Sequence, residues 1–267
     1  MFPRACSMKS KELILIWKAD QERGENVPIG KLSYGDDLYR FRYLAGMRRA
    51  QSLGFRGLIE FPDLSKEYSS PELFPVFSNR VISKKRKDFE AYVQSLGMRL
   101  RLSPLFYMEV LGRSGGRRAT DRFRVFLPPE KFADGNRERF SIYCFIAGLS
   151  QPQFLSAFEK NTKRIHEGLE LDLVPEPSNS HDPNALAVYL KKTQLGYVPA
   201  YYASELSLLP GLPPSCTVKR VNRPAIKWAP DLLLVEILGD WPTEWRPFTG
   251  GDYIPFSAMS STSSVAS

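Results

Sequence analysis

Short apolar runs separated by polar turns fill the first half of the chain, a pattern that predicts β-strands. Residues 38–43 alternate basic and aromatic side chains, as a half-exposed strand does. A helix is predicted over residues 83–96, because apolar side chains recur on one face and Gly97 follows as a stop. The predicted strands of this half are residues 13–17, 29–32, 38–43 and 123–127.

The second half continues with short strands and adds two helices. The helices are predicted over residues 152–166 and 200–209. Many short strands with two helices are typical of a small β-barrel of the oligonucleotide-binding kind. The predicted strands of this half are residues 140–148, 169–174, 185–190, 195–198, 216–221 and 232–238.

These elements predict an α+β protein with two domains. The first domain, a mixed sheet with helices, is expected over residues 11–130, and the second, the small barrel, over residues 140–240. Pro128-Pro129 and the polar stretch that runs through Asn136 predict a linker, which is expected over residues 131–139. A flexible tail is expected over residues 1–10, and another over 241–267 that is disordered after about residue 250, where serine dominates.

Composition narrows the class of protein. Hydrophobic residues make up 43% and charged residues 25% of the 267 residues, as in ordinary folded proteins. No apolar run approaches the roughly 20 residues that span a bilayer, and no apolar core follows Arg4, so neither a membrane span nor a secretory signal is expected. Cys6, Cys144 and Cys216 are too widely spaced for a disulfide framework or a zinc motif. We therefore expect a cytoplasmic protein.

Charge is unevenly divided. Residues 1–139 carry 27 Lys and Arg against 17 Asp and Glu, whereas residues 140–267 carry 10 against 12. Two basic clusters in the first half are candidates for contacts with phosphate: Lys84, Lys85, Arg86 and Lys87 at the start of the predicted helix, and Arg113, Arg117 and Arg118 in the glycine-rich stretch 112–118. The alternatives are a solvated helix face for the first cluster and a mobile connector for the second.

A polar, proline-containing loop lies between two predicted strands of the second half. It reads Glu176-Pro177-Ser178-Asn179-Ser180-His181-Asp182-Pro183-Asn184-Ala185, and Gly196-Tyr197-Val198-Pro199 follows downstream. Asp-Pro-Asn alone predicts a type I turn. The complete spacing resembles the signature of the HIRAN domain, a small β-barrel module. This resemblance implies binding of a single-stranded DNA 3′ end.

The resemblance also implies roles for residues of the loop. Asp182 would accept a hydrogen bond from the 3′-hydroxyl, and His181 stands where an aromatic side chain stacks on the terminal base. A carboxylate at this place would repel a 3′-phosphate or a continuing strand. Asn179 and Asn184 would shape the loop. Tyr197 is expected in the core or as a buttress rather than as a ligand.

Basic residues elsewhere in the second half would add affinity for DNA. Lys191, Lys192, Arg220 and Arg223 are candidates for a basic strip beside the loop, and Trp228 for a stacking ring. The alternative is that these residues are ordinary solvated strand ends. Unlike DNA-binding relatives, this chain has neither an arginine nor an aromatic ring directly after Gly148, where it reads Leu149-Ser150-Gln151-Pro152.

Residues 11–127 resemble the N-terminal subdomain of HipA-type proteins. The resemblance rests on Pro28-Ile29-Gly30-Lys31-Leu32, the strand that ends at Tyr43, Phe74-Pro75-Val76-Phe77-Ser78-Asn79-Arg80 and Ser95-Leu96-Gly97-Met98. No kinase catalytic loop or magnesium-binding motif follows this stretch. The resemblance therefore implies a surface for a protein partner rather than catalysis.

Two functional hypotheses follow. The first is a DNA-binding protein without enzymatic activity, cofactor or metal that recognises single-stranded 3′-hydroxyl ends in DNA repair or defence. The alternative is a protein-interaction module of a toxin–antitoxin-like system, in which the HipA-like half binds a partner kinase or toxin.

Overall fold

The computed structural model describes residues 10–19, 24–211, 213–222 and 232–259. The chain divides into two compact units. The first unit comprises residues 1–83, 101–128 and 249–267, and the second comprises residues 84–100 and 129–248. Each unit contains one sheet and a few helices, so the predicted α+β class is confirmed.

Twelve strands and six α-helices occur in the described part of the chain. From the start they are β1 (Lys11–Lys18), β2 (Asn26–Gly35), β3 (Leu38–Tyr43), α1 (Met47–Ser52), β4 (Tyr68–Ser70), α2 (Pro75–Ser78), α3 (Phe89–Ser95), α4 (Pro104–Ser114) and β5 (Phe123–Phe126). They continue with β6 (Glu130–Asp134), β7 (Arg137–Phe145), α5 (Pro152–Asn161), β8 (Glu170–Pro175), β9 (Leu186–Leu190), β10 (Thr193–Tyr197), α6 (Ala200–Leu206), β11 (Ser215–Val221) and β12 (Leu233–Asp240).

The first unit is built on a five-stranded antiparallel sheet with the order β4-β3-β2-β1-β5. Its strand β1 carries four consecutive buried aliphatic residues, 13–16, instead of an alternating pattern. A strand with both faces covered has this pattern. Leu13 and Leu15 pack in a cluster with aromatic side chains such as Phe41 and Phe77.

Two predictions for the first half are wrong in detail. The predicted helix 83–96 begins only at Phe89, because four cations in a first turn would oppose the helix dipole. Residues 84–88 form turns instead, in which Arg86 pairs with Asp88 at 2.8 Å. The predicted glycine-rich loop begins inside α4, where a side chain on Gly112 would lie 2.3 Å from Leu127.

The second unit contains a seven-stranded antiparallel sheet with the order β10-β9-β8-β11-β12-β7-β6. A single antiparallel bridge joins Ala147, just after β7, to Tyr197 at the end of β10. The sheet therefore curls until strands far apart in its order meet at one point. Along the described strands it does not close into the predicted barrel.

Residues 131–139, where the sequence predicts a linker, form β6 and the start of β7. The two strands pair from Glu130–Ser141 to Asp134–Arg137, across a turn in which Gly135 has a φ of 62°. Glycine adopts this left-handed conformation at low cost, so the polar Asp-Gly-Asn sequence makes a hairpin turn rather than a connector.

The C-terminal segment also departs from the expected tail. Residues 251–253 and 256–259 form 3-10 helices, where disorder is predicted. Between them, Pro255 forms a β-bridge with Leu44, and the Ala45 N–H donates to the Ile254 carbonyl oxygen at 2.8 Å. Backbone pairing thus attaches this segment to the first unit. Residues 260–267 and 1–9 lie outside the described part of the chain.

A partly buried carboxylate holds three strands of the second unit together. Glu236 on β12 accepts hydrogen bonds from Tyr143 at 2.6 Å and Ser141 at 3.0 Å on β7, and pairs with Lys219 on β11 at 2.5 Å. Burial alone would raise the pKa of Glu236. The hydrogen bonds and the charge of Lys219 outweigh it and lower the pKa below the ordinary value of 4.5.

We predict that Glu236→Gln lowers the free energy of unfolding by about 1–2 kcal/mol at pH 7, because hydrogen bonds to a charged group are lost. Because the pKa of Glu236 is lower in the folded state than the ordinary 4.5, its carboxylate contributes fully to the stability of the fold above pH 4.5. This contribution is lost as the pH falls through the pKa of the folded state. Urea unfolding should therefore separate wild type from Glu236→Gln at pH 7 and bring them together in acid. Glu244→Gln, a change at an exposed carboxylate, should have little effect at either pH.

Candidate nucleic-acid interface

The loop at residues 176–185 connects β8 to β9, and backbone hydrogen bonds close it at its base. The strands pair from Asp172–Tyr189 to Pro175–Leu186. Directly beyond them, the Glu176 N–H donates to the Ala185 carbonyl oxygen at 2.9 Å. The loop is therefore the end of a β-hairpin, closed at its base by backbone hydrogen bonds.

Asn179 organises the interior of the loop. Its side-chain oxygen Oδ1 accepts hydrogen bonds from the backbone N–H groups of His181 at 3.0 Å and Asp182 at 3.3 Å. Its amide Nδ2 donates to Glu176 Oε2 at 2.9 Å. One side chain thus fixes the backbone on which the two predicted DNA contacts stand.

The downstream Gly196-Tyr197-Val198-Pro199 motif supports the loop from β10. The Tyr197 hydroxyl donates to Glu176 Oε2 at 3.2 Å, and its ring packs edge-on against Phe154 of α5. Gly196 has a φ of 146°, and a side chain there would lie 2.5 Å from the Ala147 carbonyl oxygen. Glycine is therefore required for the bridge between Ala147 and Tyr197, which places the tyrosine in its buttressing position.

Asp182 uses one carboxylate oxygen within the loop. Its Oδ1 accepts a hydrogen bond from the Asn184 N–H at 2.8 Å, as in an Asx-turn. No group in the described part of the chain donates to Oδ2, and the side chain is only half-buried. His181 beside it is exposed. The arrangement leaves one anionic acceptor and one ring at the surface.

Asn184, for which a part in shaping the loop is predicted, has its side chain hydrogen-bonded to a residue outside the loop. Its Oδ1 accepts a hydrogen bond from Ser207, directly after α6, at 3.2 Å. The roles of Ser207, Phe154 and Glu176 were not anticipated from the sequence. For Glu176, the only signal is its place three residues before Asn179 in the motif.

The described residues of the predicted basic strip do not lie beside the loop. Lys191 and Lys192 form the exposed turn between β9 and β10, so the five-residue strand β9 separates them from Ala185 by about 17 Å. Arg220 lies past the Glu170–Thr217 pair, beyond the other end of β8, and donates to Glu167 at 3.1 Å. Arg223 and Trp228 lie outside the described residues.

The remaining predicted phosphate contacts divide between the two units. Arg113 in α4 pairs with Glu109 at 2.6 Å, and its side chain is only 10% exposed. Arg117 and Arg118 are exposed in the turn after Gly115, which ends α4 with a φ of 70°. These three belong to the first unit, whereas the exposed Lys84, Lys85, Arg86 and Lys87 belong to the second.

The segment after Gly148 borders the motif through Phe154. Gly148 has a φ of 81°, and a side chain there would lie 3.5 Å from the Phe154 ring. Leu149 is buried, whereas Gln151 is exposed and accepts a hydrogen bond from Gln153 at 2.8 Å. This segment offers amides rather than cations to a ligand.

A comparison with known protein families matches residues 140–229 to the HIRAN domain. The match includes the loop, its glycine–tyrosine buttress and the segment after Gly148, and it covers less than half of the chain. At the level of the family it indicates DNA binding. The HipA-like interpretation of residues 11–127 has no support from the comparisons and stays a prediction. No curated protein and no solved structure matches the chain.

In the described ranges, no group of three or more His, Cys, Asp or Glu side chains has the arrangement of a metal site. Within the same ranges, no helix is both long enough and apolar enough to cross a membrane. Cys144 and Cys216 are buried, and burial raises the pKa of both thiols, to about 12 for Cys216.

We predict that Tyr197→Phe loosens the loop, because Glu176 loses one of its two hydrogen-bond donors. The cost should be about 1 kcal/mol, and hydrogen exchange of the His181 and Asp182 amides should become faster. Tyr189→Phe removes a hydroxyl from β9, for which no hydrogen bond is seen in the described residues. That control should leave both measurements unchanged, and equal effects of the two variants would contradict the buttress.

Proposed function

We propose that the second unit binds the 3′-hydroxyl end of single-stranded DNA at the loop of residues 176–185. The observation that carries this proposal is the carboxylate of Asp182, whose Oδ1 is held by the Asn184 amide while Oδ2 remains an acceptor at the surface. The HIRAN match over residues 140–229 supports it at the level of the family.

The chemistry of this acceptor favours a free end over a continuing strand. A 3′-hydroxyl donates a hydrogen bond, whereas a 3′-phosphate or a phosphodiester at the same atom has no proton to donate and carries negative charge. A hydrogen bond to a charged group is worth about 1.5–3 kcal/mol, which corresponds to a roughly ten- to hundredfold preference. Selectivity for the end therefore rests on one oxygen atom.

The rest of the loop positions this oxygen before DNA arrives. Asn179 fixes the amides of His181 and Asp182, and Glu176 fixes Asn179. A preorganised site loses less conformational entropy on binding. The exposed His181 ring can stack on the terminal base, and such stacking depends little on sequence.

The surroundings of the loop supply little general attraction for phosphate. Glu176 and Asp182 are acidic, and Lys191, Lys192 and Arg220 lie away from the loop. The contribution of this site is thus recognition of the end rather than strong binding of the backbone. We infer that the protein acts without catalysis, as an end-binding component of DNA repair or defence.

The decisive measurement is fluorescence anisotropy of the full chain with a labelled single strand that ends in either a 3′-hydroxyl or a 3′-phosphate. We predict that wild type prefers the hydroxyl roughly tenfold or more, from the hydrogen bond to charge. Asp182→Asn keeps the size of the side chain and an acceptor for the Asn184 amide but removes the charge. It should therefore bring the two affinities close together.

Asp172→Asn is the matched control, because it removes one exposed carboxylate from β8 of the same unit. It should retain the preference of wild type. Equal affinity of wild type for both ends would overturn the proposal, as would an undiminished preference in Asp182→Asn.

A further inference from the structure

The second unit includes a segment from much earlier in the chain, residues 84–100. Its helix α3 has buried apolar side chains, among them Phe89 and Val93. At the end of β11, Asn222 Nδ2 donates to the Ser95 carbonyl oxygen at 3.0 Å, and both residues are 3% exposed. Because a buried amide needs a partner, this hydrogen bond fixes the segment against the end of β11.

The segment changes the charge of the unit. Residues 84–100 carry five Lys and Arg against two Asp and Glu, whereas residues 129–248 carry 13 against 14. The cations stand at both ends of α3, with residues 84–87 before it and Arg99 after it, and all are exposed. The helix itself is only about 11 Å long, and its last residue, Ser95, is the one that is hydrogen-bonded to Asn222.

A pocket of about 620 Å³ opens at the same end of β11. Its buried lining includes the apolar side chains of Phe158 and Ile165, and its exposed lining includes Lys163 and His166. Among the described residues that line it, the one carboxylate is that of Glu167, which is paired with Arg220 at 3.1 Å. An apolar interior with a basic rim fits a nucleobase and its phosphate.

We propose that these features form a second nucleic-acid surface, which binds the sugar-phosphate backbone of a strand. This basic face is defined by Lys84, Lys85, Lys87, Lys163, Arg164 and Arg220. It differs from the 176–185 loop in chemistry, since the loop offers an anion to a hydroxyl and the face offers cations to phosphates. Backbone binding here does not require that the loop recognise an end.

The topology keeps the two surfaces apart. The Ser95–Asn222 contact and the Arg220–Glu167 pair lie beyond the end of β8 at which Glu170 meets Thr217. The 176–185 loop follows the opposite end of β8, after Pro175. Substitutions in the face therefore leave the hydrogen bonds of the loop intact, and the two functions can be tested separately.

The test is the salt dependence of binding by the full chain, measured by anisotropy with a single-stranded oligonucleotide. Each phosphate contact contributes about 0.7 to the slope of log affinity against log salt for a single strand. We expect the double substitution Lys163→Gln and Arg164→Gln to lower the slope by about 1, and Lys84→Gln with Lys85→Gln to lower it similarly. The ratio of affinities for 3′-hydroxyl and 3′-phosphate ends should stay that of wild type.

The matched control is Arg56→Gln with Lys66→Gln, which removes two exposed charges from the first unit. It should leave the slope unchanged. An equal decrease of the slope in the control would mean that only net charge matters and would contradict the proposed face. An unchanged slope in both test variants would contradict it as well. Displacement of DNA by polyglutamate of equal charge would identify an acidic protein as the partner instead. If wild type bound 3′-hydroxyl and 3′-phosphate ends equally but the salt slopes changed as expected, end recognition by the 176–185 loop would be contradicted and backbone binding by the basic face would be supported.

Discussion

The shape of the candidate binding loop depends on the two hydrogen bonds that the Glu176 carboxylate accepts. One comes from Asn179, which in turn fixes the amides of His181 and Asp182, and the other comes from Tyr197 on β10. Tyr197 also pairs through its backbone with Ala147. A single carboxylate thus connects the loop to the point at which the curled sheet meets itself, and Gly196 permits the close approach there.

The fold could be predicted from the sequence where burial controls local structure. The buried run of β1 and the alternation of β3 are found as strands, because side-chain periodicity reports directly which faces are covered. Apolar periodicity could not place the start of the predicted helix 83–96, because it does not take account of cations in the first turn. The C-terminal part of α4 could not be predicted, because glycine is typical of loops. Gly112 is required in the helix by its close packing against Leu127, which only the structure shows.

The candidate site shows the same division between local and tertiary information. The hydrogen bonds of Asn179 and Asp182 are made within a few residues, a range that motif spacing can indicate, whereas the Asn184 side chain bonds Ser207, 23 residues away. The position of Lys191 relative to the loop could not be predicted from the sequence. Strand order and register decide whether the end of a strand lies beside the loop or away from it. The link between Ser95 and Asn222 joins residues so distant in sequence that no motif could indicate it.

The same link bears on how the protein is made. Residues 101–128 belong to the first unit. The second unit takes α3 from the chain before this stretch and its sheet from the chain after it. The first unit in turn receives the backbone pairing of Ile254 and Pro255 only after the second sheet has left the ribosome. Neither unit can therefore reach its complete structure during synthesis of its own early segments, and long-range contacts of this kind slow folding. A fragment cut to the family boundaries at residues 140 and 229 would lack α3 and would leave the Asn222 amide without its buried acceptor.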